Sequence, residues 1–401
     1  MMNEPAPEFD SFDIRISRSR RQKYRGPAKK ALAYAQSIWP GGRESEAYIA
    51  DLVLPNAERR SDVLPDLPDL RPAVGPKAYG TELFNWLFPE ESDTRSAFRQ
   101  VRWSAESYTR LRSTISGIRL RLWLDPEAPE LHLMRWESLR DPDRDEPLSL
   151  TLAFSRFMHV PDMPDMLEHQ LVHAPPLRML FITANPKNLD RFDLSEINVA
   201  LENRIVRGAI ERFGNRVVIE RLETTTSLDE IRNARAGEFH IAHILAHAMA
   251  EGDDGCLLLP DAEGRAQKVG GAELVAALVG REGPPYLVIL TTPVTAAEHE
   301  GAVFLKLAPL LIQKGVQAVL AVQAPIRAER LRLFVERFYA GLLQNGNIDQ
   351  AVADARVAIY KSDEWDWSFP VLFVRTFEPR IFVSERAPFD DLLGPIQLTR
   401  R

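Results

Sequence analysis

Residues 239–247 read FHIAHILAH, and residues 286–293 read YLVILTTP. Each stretch is an apolar run of strand length that ends in polar residues, a pattern typical of buried strands in a parallel sheet. In such sheets, ligands and catalytic groups gather beyond the carboxyl ends of the strands. We therefore expect His247 and the segment Thr291–Pro293 to lie at one shared crevice, on neighbouring strands.

Beyond residue 176, strand-like runs alternate with helical spacing, which predicts an α/β fold with an open, mostly parallel sheet and helices on both faces. The predicted strands cover 178–183, 216–221, 239–246, 286–292, 316–322 and 371–374. The predicted helices cover 195–213, 227–234, 271–279, 302–314, 328–343 and 348–360. Residues 78–160 instead mix helical stretches with an alternating strand pattern at 117–124, which indicates an N-terminal mixed α+β subdomain.

Two proline-rich stretches divide the chain. Residues 64–76 read as a loop, and residues 161–176 read as the main boundary. We therefore predict an N-terminal subdomain at 1–165, an α/β core at 175–380 and a C-terminal tail at 381–401.

The composition is that of a globular protein, with 45% hydrophobic and 27% charged residues. The formal charge of -7 gives no general reason to expect nucleic acid as a partner. Cys256 is the single cysteine, so no internal disulfide can form and a reducing compartment is expected. The N-terminus lacks a signal-peptide pattern, and no apolar run reaches the ~20 residues that span a bilayer. A cytoplasmic protein without a membrane partner is expected.

A basic run lies near the N-terminus. It comprises Arg15, Arg18, Arg20, Arg21, Lys23, Arg25, Lys29 and Lys30. Few aromatic residues are interleaved with these charges, so a nucleic-acid patch is the weaker interpretation. We predict instead a solvated edge strand that its charges protect from unwanted pairing.

Several segments, in order, resemble the CHAT domain, a caspase-like (clan CD) cysteine peptidase family found in bacterial defence and cell-death systems. The resemblance covers nearly the whole chain. The matching segments are 135–139, 176–180 with 184–186, 243–247, 257–261 with 264, 315–326, 338–339, 351–356 and 367–375. The resemblance implies a caspase-like fold, with a catalytic histidine at His247 and a nucleophile at residue 293.

The chain departs from the pattern of active relatives at two positions. Active relatives have His-Gly at the catalytic histidine, whereas this chain has His247-Ala248. Active relatives end the next strand in Ala-Cys, whereas this chain has Thr292-Pro293. The order and spacing still fit, because a caspase-type histidine precedes its cysteine by about 50 residues. Proline, however, offers neither a nucleophile nor a backbone N–H.

A Cys-His peptidase needs a thiolate close to an imidazole, and here only the imidazole is retained. The main hypothesis is therefore a catalytically inactive pseudoprotease, its cleft lined by His243, Ala248, Asp254 and Thr291. One alternative is an active peptidase that pairs His247 with a different nucleophile, either Cys256 or a threonine, Thr291 or Thr292. Another is a sequence altered at residue 293. Cys256 is more simply a small buried hydrophobic residue.

No metal or cofactor is predicted. His240, His243 and His247 would form a metal face on a helix, but a strand sends His240 to the opposite face from the other two. The expected partner is a protein or peptide, with another protease or a sensor protein as candidates. Asp254 could attract a basic residue of such a partner, although beside Gly255 it reads more simply as a turn residue.

Overall fold

The computed structural model describes most of the chain. The described ranges are 9–18, 48–54, 58–68, 70, 72–111, 117–125, 128–158, 176–211, 214–221, 226–234, 239–249, 255–279, 283–291, 298–324 and 326–382. Three predicted site residues, Asp254, Thr292 and Pro293, lie outside these ranges, as does most of the predicted boundary at 161–176 and of the tail at 381–401.

Sixteen strands are found in the described residues. They are β1 (Phe9–Arg18), β2 (Tyr48–Val53), β3 (Arg59–Leu64), β4 (Gly117–Leu124), β5 (Arg140–Asp141), β6 (Glu146–Pro147), β7 (Ala153–Phe157), β8 (Leu177–Thr183), β9 (Val217–Arg221), β10 (Ile241–Leu245), β11 (Ala248–Met249), β12 (Cys256–Pro260), β13 (Ala266–Gly270), β14 (Leu287–Thr291), β15 (Ala318–Val322) and β16 (Pro370–Val374). All six core strands predicted after residue 176 are confirmed, with ends within two residues.

Ten α-helices are found in the same ranges. They are α1 (Gly75–Leu87), α2 (Asp93–Leu111), α3 (Pro129–His132), α4 (Leu148–Thr151), α5 (Val199–Glu211), α6 (Leu228–Asn233), α7 (Gly271–Leu278), α8 (Glu298–Gln313), α9 (Ala328–Asn345) and α10 (Ile348–Ile359). Local signals fix several ends. Ser227 and Glu230 form a reciprocal capping box at the start of α6. Gly346, with φ of 78°, ends α9 in a left-handed turn.

Eleven of the strands form one sheet, in the order β3-β2-β1-β4-β7-β16-β15-β14-β10-β8-β9. Seven of its ten strand pairings are parallel. Apolar side chains of α5, α9 and α10 pack on one face of its carboxyl-terminal half, and those of α6, α7 and α8 pack on the other. The expected α/β fold with a mostly parallel sheet is confirmed.

The expectation of an edge strand at the basic N-terminal run is wrong for β1. This strand lies inside the sheet, antiparallel to β2 and parallel to β4. Its basic residues have partners there, because Arg15 lies 4.1 Å from the ring centre of Trp123 and the Arg18 guanidinium donates to Glu130. Among the described strands, the outer strand on this side of the sheet is instead β3, which carries exposed Arg59 and Arg60.

Strands from the two predicted domains meet in the same sheet, where β7 pairs in parallel with β16. The N-terminal strands nevertheless have a large hydrophobic core cluster of their own. The shared sheet and the separate core favour opposite conclusions, so the division near residue 165 stays a prediction. In the described part of the chain, no helix is both long enough and apolar enough to span a membrane.

Candidate functional site

Strands β10 and β14, which come from the apolar stretches 239–247 and 286–293, are adjacent in the middle of the core sheet. β10 lies between β8 and β14 and is parallel to both. Ile241 pairs with Leu287 and Leu245 pairs with Thr291, so paired residues of β10 and β14 are 46 positions apart in sequence. His247 and Pro293 have the same separation. We refer to the carboxyl ends of β10 and β14, together with His247, as the candidate site.

His247 follows β10 by two residues, and its side chain is fully buried. Its Nε2 lies 2.8 Å from the backbone oxygen of Ser195, in the segment before α5. A carbonyl oxygen can only accept, so Nε2 carries the hydrogen and donates it. In the neutral ring the lone pair, and with it any proton-accepting role, is then on Nδ1. No sequence pattern pointed to Ser195, because its contribution is a backbone atom.

His243 lies in the middle of β10, buried in the core between the sheet and α9. Its Nε2 is 3.2 Å from the hydroxyl of Thr291, and its Nδ1 is 3.2 Å from the hydroxyl of Tyr339 on α9. Phe181 of β8 meets the imidazole edge to face, with the ring centres 5.2 Å apart. Burial lowers the pKa of His243 to about 3, so the ring is neutral near pH 7.

The directions of these hydrogen bonds follow from the available protons. The Thr291 hydroxyl donates to the backbone oxygen of Ile244, 3.3 Å away, and must therefore accept from His243. His243 is then protonated on Nε2, and its Nδ1 accepts from Tyr339. Burial raises the pKa of Tyr339, which keeps this donor protonated. The Tyr339 hydroxyl also lies 3.7 Å from the sulfur of Met179, a much weaker acceptor than an imidazole nitrogen.

A small cavity of about 10 Å³ adjoins His243 and Thr291. The other lining residues are Phe181, Glu202, Ile205, Val206, Leu245, Leu331 and Val335. Its volume is close to the minimum that one water molecule needs. As shaped in this structure, the space beneath the candidate site does not accommodate a side chain of a partner.

Cys256 is buried and begins β12, the middle strand of a three-stranded sheet. It pairs with Met249 on one side and with Gly270 on the other. Gly255 before it has φ of 70°, and an added Cβ there would come within 2.5 Å of Val303. The Cys256 thiol is therefore enclosed, because its strand is paired on both sides and its surroundings are closely packed.

The remaining predicted residues are placed as follows. Ala248 is fully buried and begins β11, where it pairs with Leu257. His240 precedes β10, and its Nδ1 accepts a hydrogen bond from the backbone N–H of Arg178. Burial, with a smaller effect of the Arg178 guanidinium, lowers the pKa of His240. The three histidines therefore contact different groups: His240 a backbone amide, His243 two hydroxyls and His247 a carbonyl.

A larger groove, of about 550 Å³, lies between α6, the β12–β13 hairpin and α7. Its described lining includes Asp229, Glu230, Asp261 and Glu273, with Arg232 as the cationic side chain. Asp261 is already bound by Arg265, and Glu230 by Ser227. None of the described predicted site residues is part of this lining.

Residues 77–390 match the family model of the CHAT domain. The chain therefore belongs to the CHAT family, and the family that the sequence resemblance implied is confirmed. No curated protein matches the chain significantly.

Several solved structures align with the chain at low identity. The Arg specific cysteine proteinase gingipain R aligns with a TM-score of 0.41 and 10% identity, covering 70% of this chain and 67% of that one. The complex of Porphyromonas gingivalis RgpB pro- and mature domains gives 0.38 and 12%, covering 70% and 69%. A chain of the Saccharomyces cerevisiae separase-securin complex gives 0.44 and 10%, covering 92% of this chain but 30% of its own length.

Proposed function

We propose that this chain is a catalytically inactive CHAT-family protein, a pseudoprotease, which binds a protein or peptide partner. The observation that carries the proposal is the register of β10 and β14. The constant offset of 46 residues associates His247 with sequence position 293, which is a proline. Covalent catalysis needs a nucleophile beside the imidazole, and proline has none.

The positions of Cys256 and Thr291, the two candidate nucleophiles that the structure describes, support this proposal. Cys256 is buried and held in strand pairing on both sides, whereas reactive cysteines are partially exposed. The Thr291 hydroxyl donates to one backbone oxygen and accepts from His243, which itself receives a hydrogen bond from Tyr339. A histidine whose two nitrogens are both engaged cannot take a proton from Thr291.

The strand arrangement beside His247 supports a peptide as the occupant. β11 follows His247 directly and, among the described strands, is the outer strand of the β11-β12-β13 sheet, with Ala248 buried. An extended peptide can add to such an edge through main-chain hydrogen bonds. The candidate partners are another protease, the substrate of such a protease, or a sensor protein. Bacterial defence or regulated proteolysis in the cytoplasm is the context that family membership favours.

The proposal is tested by capturing partners with the purified wild-type protein and with the His247→Ala variant, followed by mass spectrometry of the bound proteins. Intact partners held by both are expected. Lys314→Ala is the matched surface control, because this exposed residue precedes β15 and so lies toward the amino-terminal end of that strand, away from the carboxyl ends that form the candidate site. Partner fragments that appear with the wild type and not with His247→Ala would overturn the proposal and show that His247 serves in catalysis.

A further inference from the structure

A polar connection crosses the apolar core beneath the candidate site. It runs from Tyr339 on α9 through His243 on β10 to Thr291 at the end of β14. All three side chains are buried: Thr291 is 5% exposed, His243 2% and Tyr339 0%. Burying a polar group is unfavourable unless it is hydrogen-bonded, and these side chains bond to one another.

In this connection all the hydrogen bonds run the same way, from Tyr339 to the backbone oxygen of Ile244, and each available proton is used in one of them. Tyr339 donates to His243, His243 donates to Thr291, and Thr291 donates to the oxygen of Ile244. Both nitrogens of His243 are used, so the ring has no atom left to contact a partner. Its role at the candidate site must therefore be indirect.

The last bond of the connection returns to β10. Thr291 contacts this strand with its hydroxyl, through Ile244, and with its backbone oxygen, which accepts from Ala246 N–H at 3.4 Å. Ala246 directly precedes His247. The position of Thr291 thus constrains the backbone from which the His247 side chain projects.

We propose that His243 is the positioning residue of the candidate site, a neutral imidazole that couples α9 to the ends of β10 and β14 and so fixes the place of His247. An aliphatic residue at 243 would fill the space but could not link Tyr339 to Thr291. The inference rests on the proposed function only in taking the ends of β10 and β14 as the site.

The test measures how rapidly His247 reacts with diethyl pyrocarbonate, by mass spectrometry of peptides from the purified protein. Tyr339→Phe removes only the hydroxyl that begins the connection. Loss of a buried hydrogen bond should raise the population in which His247 is accessible, and its modification rate, by about tenfold. Val352→Ala is the matched control, because it removes apolar contacts from the same core cluster on α10. Each variant is compared with the wild type at the same temperature difference below its own melting temperature. Under these conditions Val352→Ala should leave the modification rate of His247 unchanged.

A second pair of variants serves if Tyr339→Phe does not fold. Thr291→Val removes the hydroxyl at the other end of the connection, and Thr291→Ser retains it. The rate should rise in the first and stay near wild type in the second. Nitrogen NMR of the wild-type protein should show His243 protonated on Nε2 and not on Nδ1.

Equal His247 rates in Tyr339→Phe and Val352→Ala, or a proton on Nδ1 of His243, would overturn the inference. The measurement needs no partner, so its outcome is independent of the capture experiment. If the protein captures no partner, the proposed function fails while the positioning role of His243 is still tested.

Discussion

Arg119 of β4 and Asp349 of α10 form an ion pair in which both side chains are buried, 2% and 0% exposed. The two residues are 230 positions apart in sequence. The pair connects a strand of the N-terminal half to a helix of the core. Arg356, on the same helix, adds hydrogen bonds to the backbone oxygens of Ser149 and Pro370.

Asp349→Asn should destabilise the protein by about 3–5 kcal/mol, because it removes the buried negative charge that is paired with the Arg119 guanidinium. Asp354→Asn, an exposed position on the same helix, should change the stability by less than about 1 kcal/mol. Urea unfolding followed by circular dichroism measures both losses. Equal, small losses would show that the buried pair contributes little to holding the halves together.

Acid should destabilise the protein through His243. Its pKa is about 3 in the folded protein, against about 6.5 in the unfolded chain. Between these values the unfolded chain binds a proton that the folded protein excludes, so stability falls as pH falls below 6.5. The variant His243→Gln removes this pH-dependent contribution to the free energy of unfolding. From pH 7 to pH 5, the wild type should lose about 2 kcal/mol more than the variant.

The comparison in urea at the two pH values isolates His243, because the variant shares the other titrating groups with the wild type. Parallel losses in the two proteins would mean that His243 is protonated in the folded state, contrary to its burial.

Gly80→Ala should be strongly destabilising, by about 2–3 kcal/mol. A Cβ at Gly80 in α1 would overlap the backbone oxygen of Ser138, so helix and turn would have to separate. Gly208→Ala in α5 is the matched control, since nothing lies within 4 Å of its added Cβ. That variant should gain up to about 1 kcal/mol from helix propensity. Melting temperatures that shift in opposite directions would support both expectations; a neutral Gly80→Ala would contradict the close approach.

Cys256 should not react with a thiol reagent in the native protein, and one thiol per chain should appear after unfolding. Its exposed fraction is 1%, and thiol reactivity follows exposure and thiolate character. Absorbance with Ellman's reagent, with and without denaturant, measures this. Rapid labelling of the native protein would contradict this expectation and make Cys256 a candidate nucleophile again.

Much of the fold follows from local patterns. The stretches 287–290 and 318–322 are apolar throughout because β14 and β15 are covered by helices on both faces, and a residue-by-residue pattern reports that burial directly. Strand β1 could not be placed in the same way. Its charged residues look like those of an edge strand, yet Arg15 stacks on Trp123, a partner 108 residues away.

The candidate site, like the fold, was predictable from the sequence only in part. The sequence identified His247 and, through spacing, the proline at residue 293. It also placed His243 and Thr291 near the crevice. It did not show that these two side chains bond to each other, that Tyr339 completes the connection, or that a backbone oxygen of Ser195 orients His247.

The order of the core strands and helices and the absence of a cysteine at position 293 could be read from the sequence, because periodicity and residue identity are local properties. Which polar groups meet depends on the tertiary structure. Tyr339 and Ser195 lie 96 and 52 residues from the histidines that they contact. Such pairs form only when strand register and helix packing bring them together, and no local pattern encodes that distance.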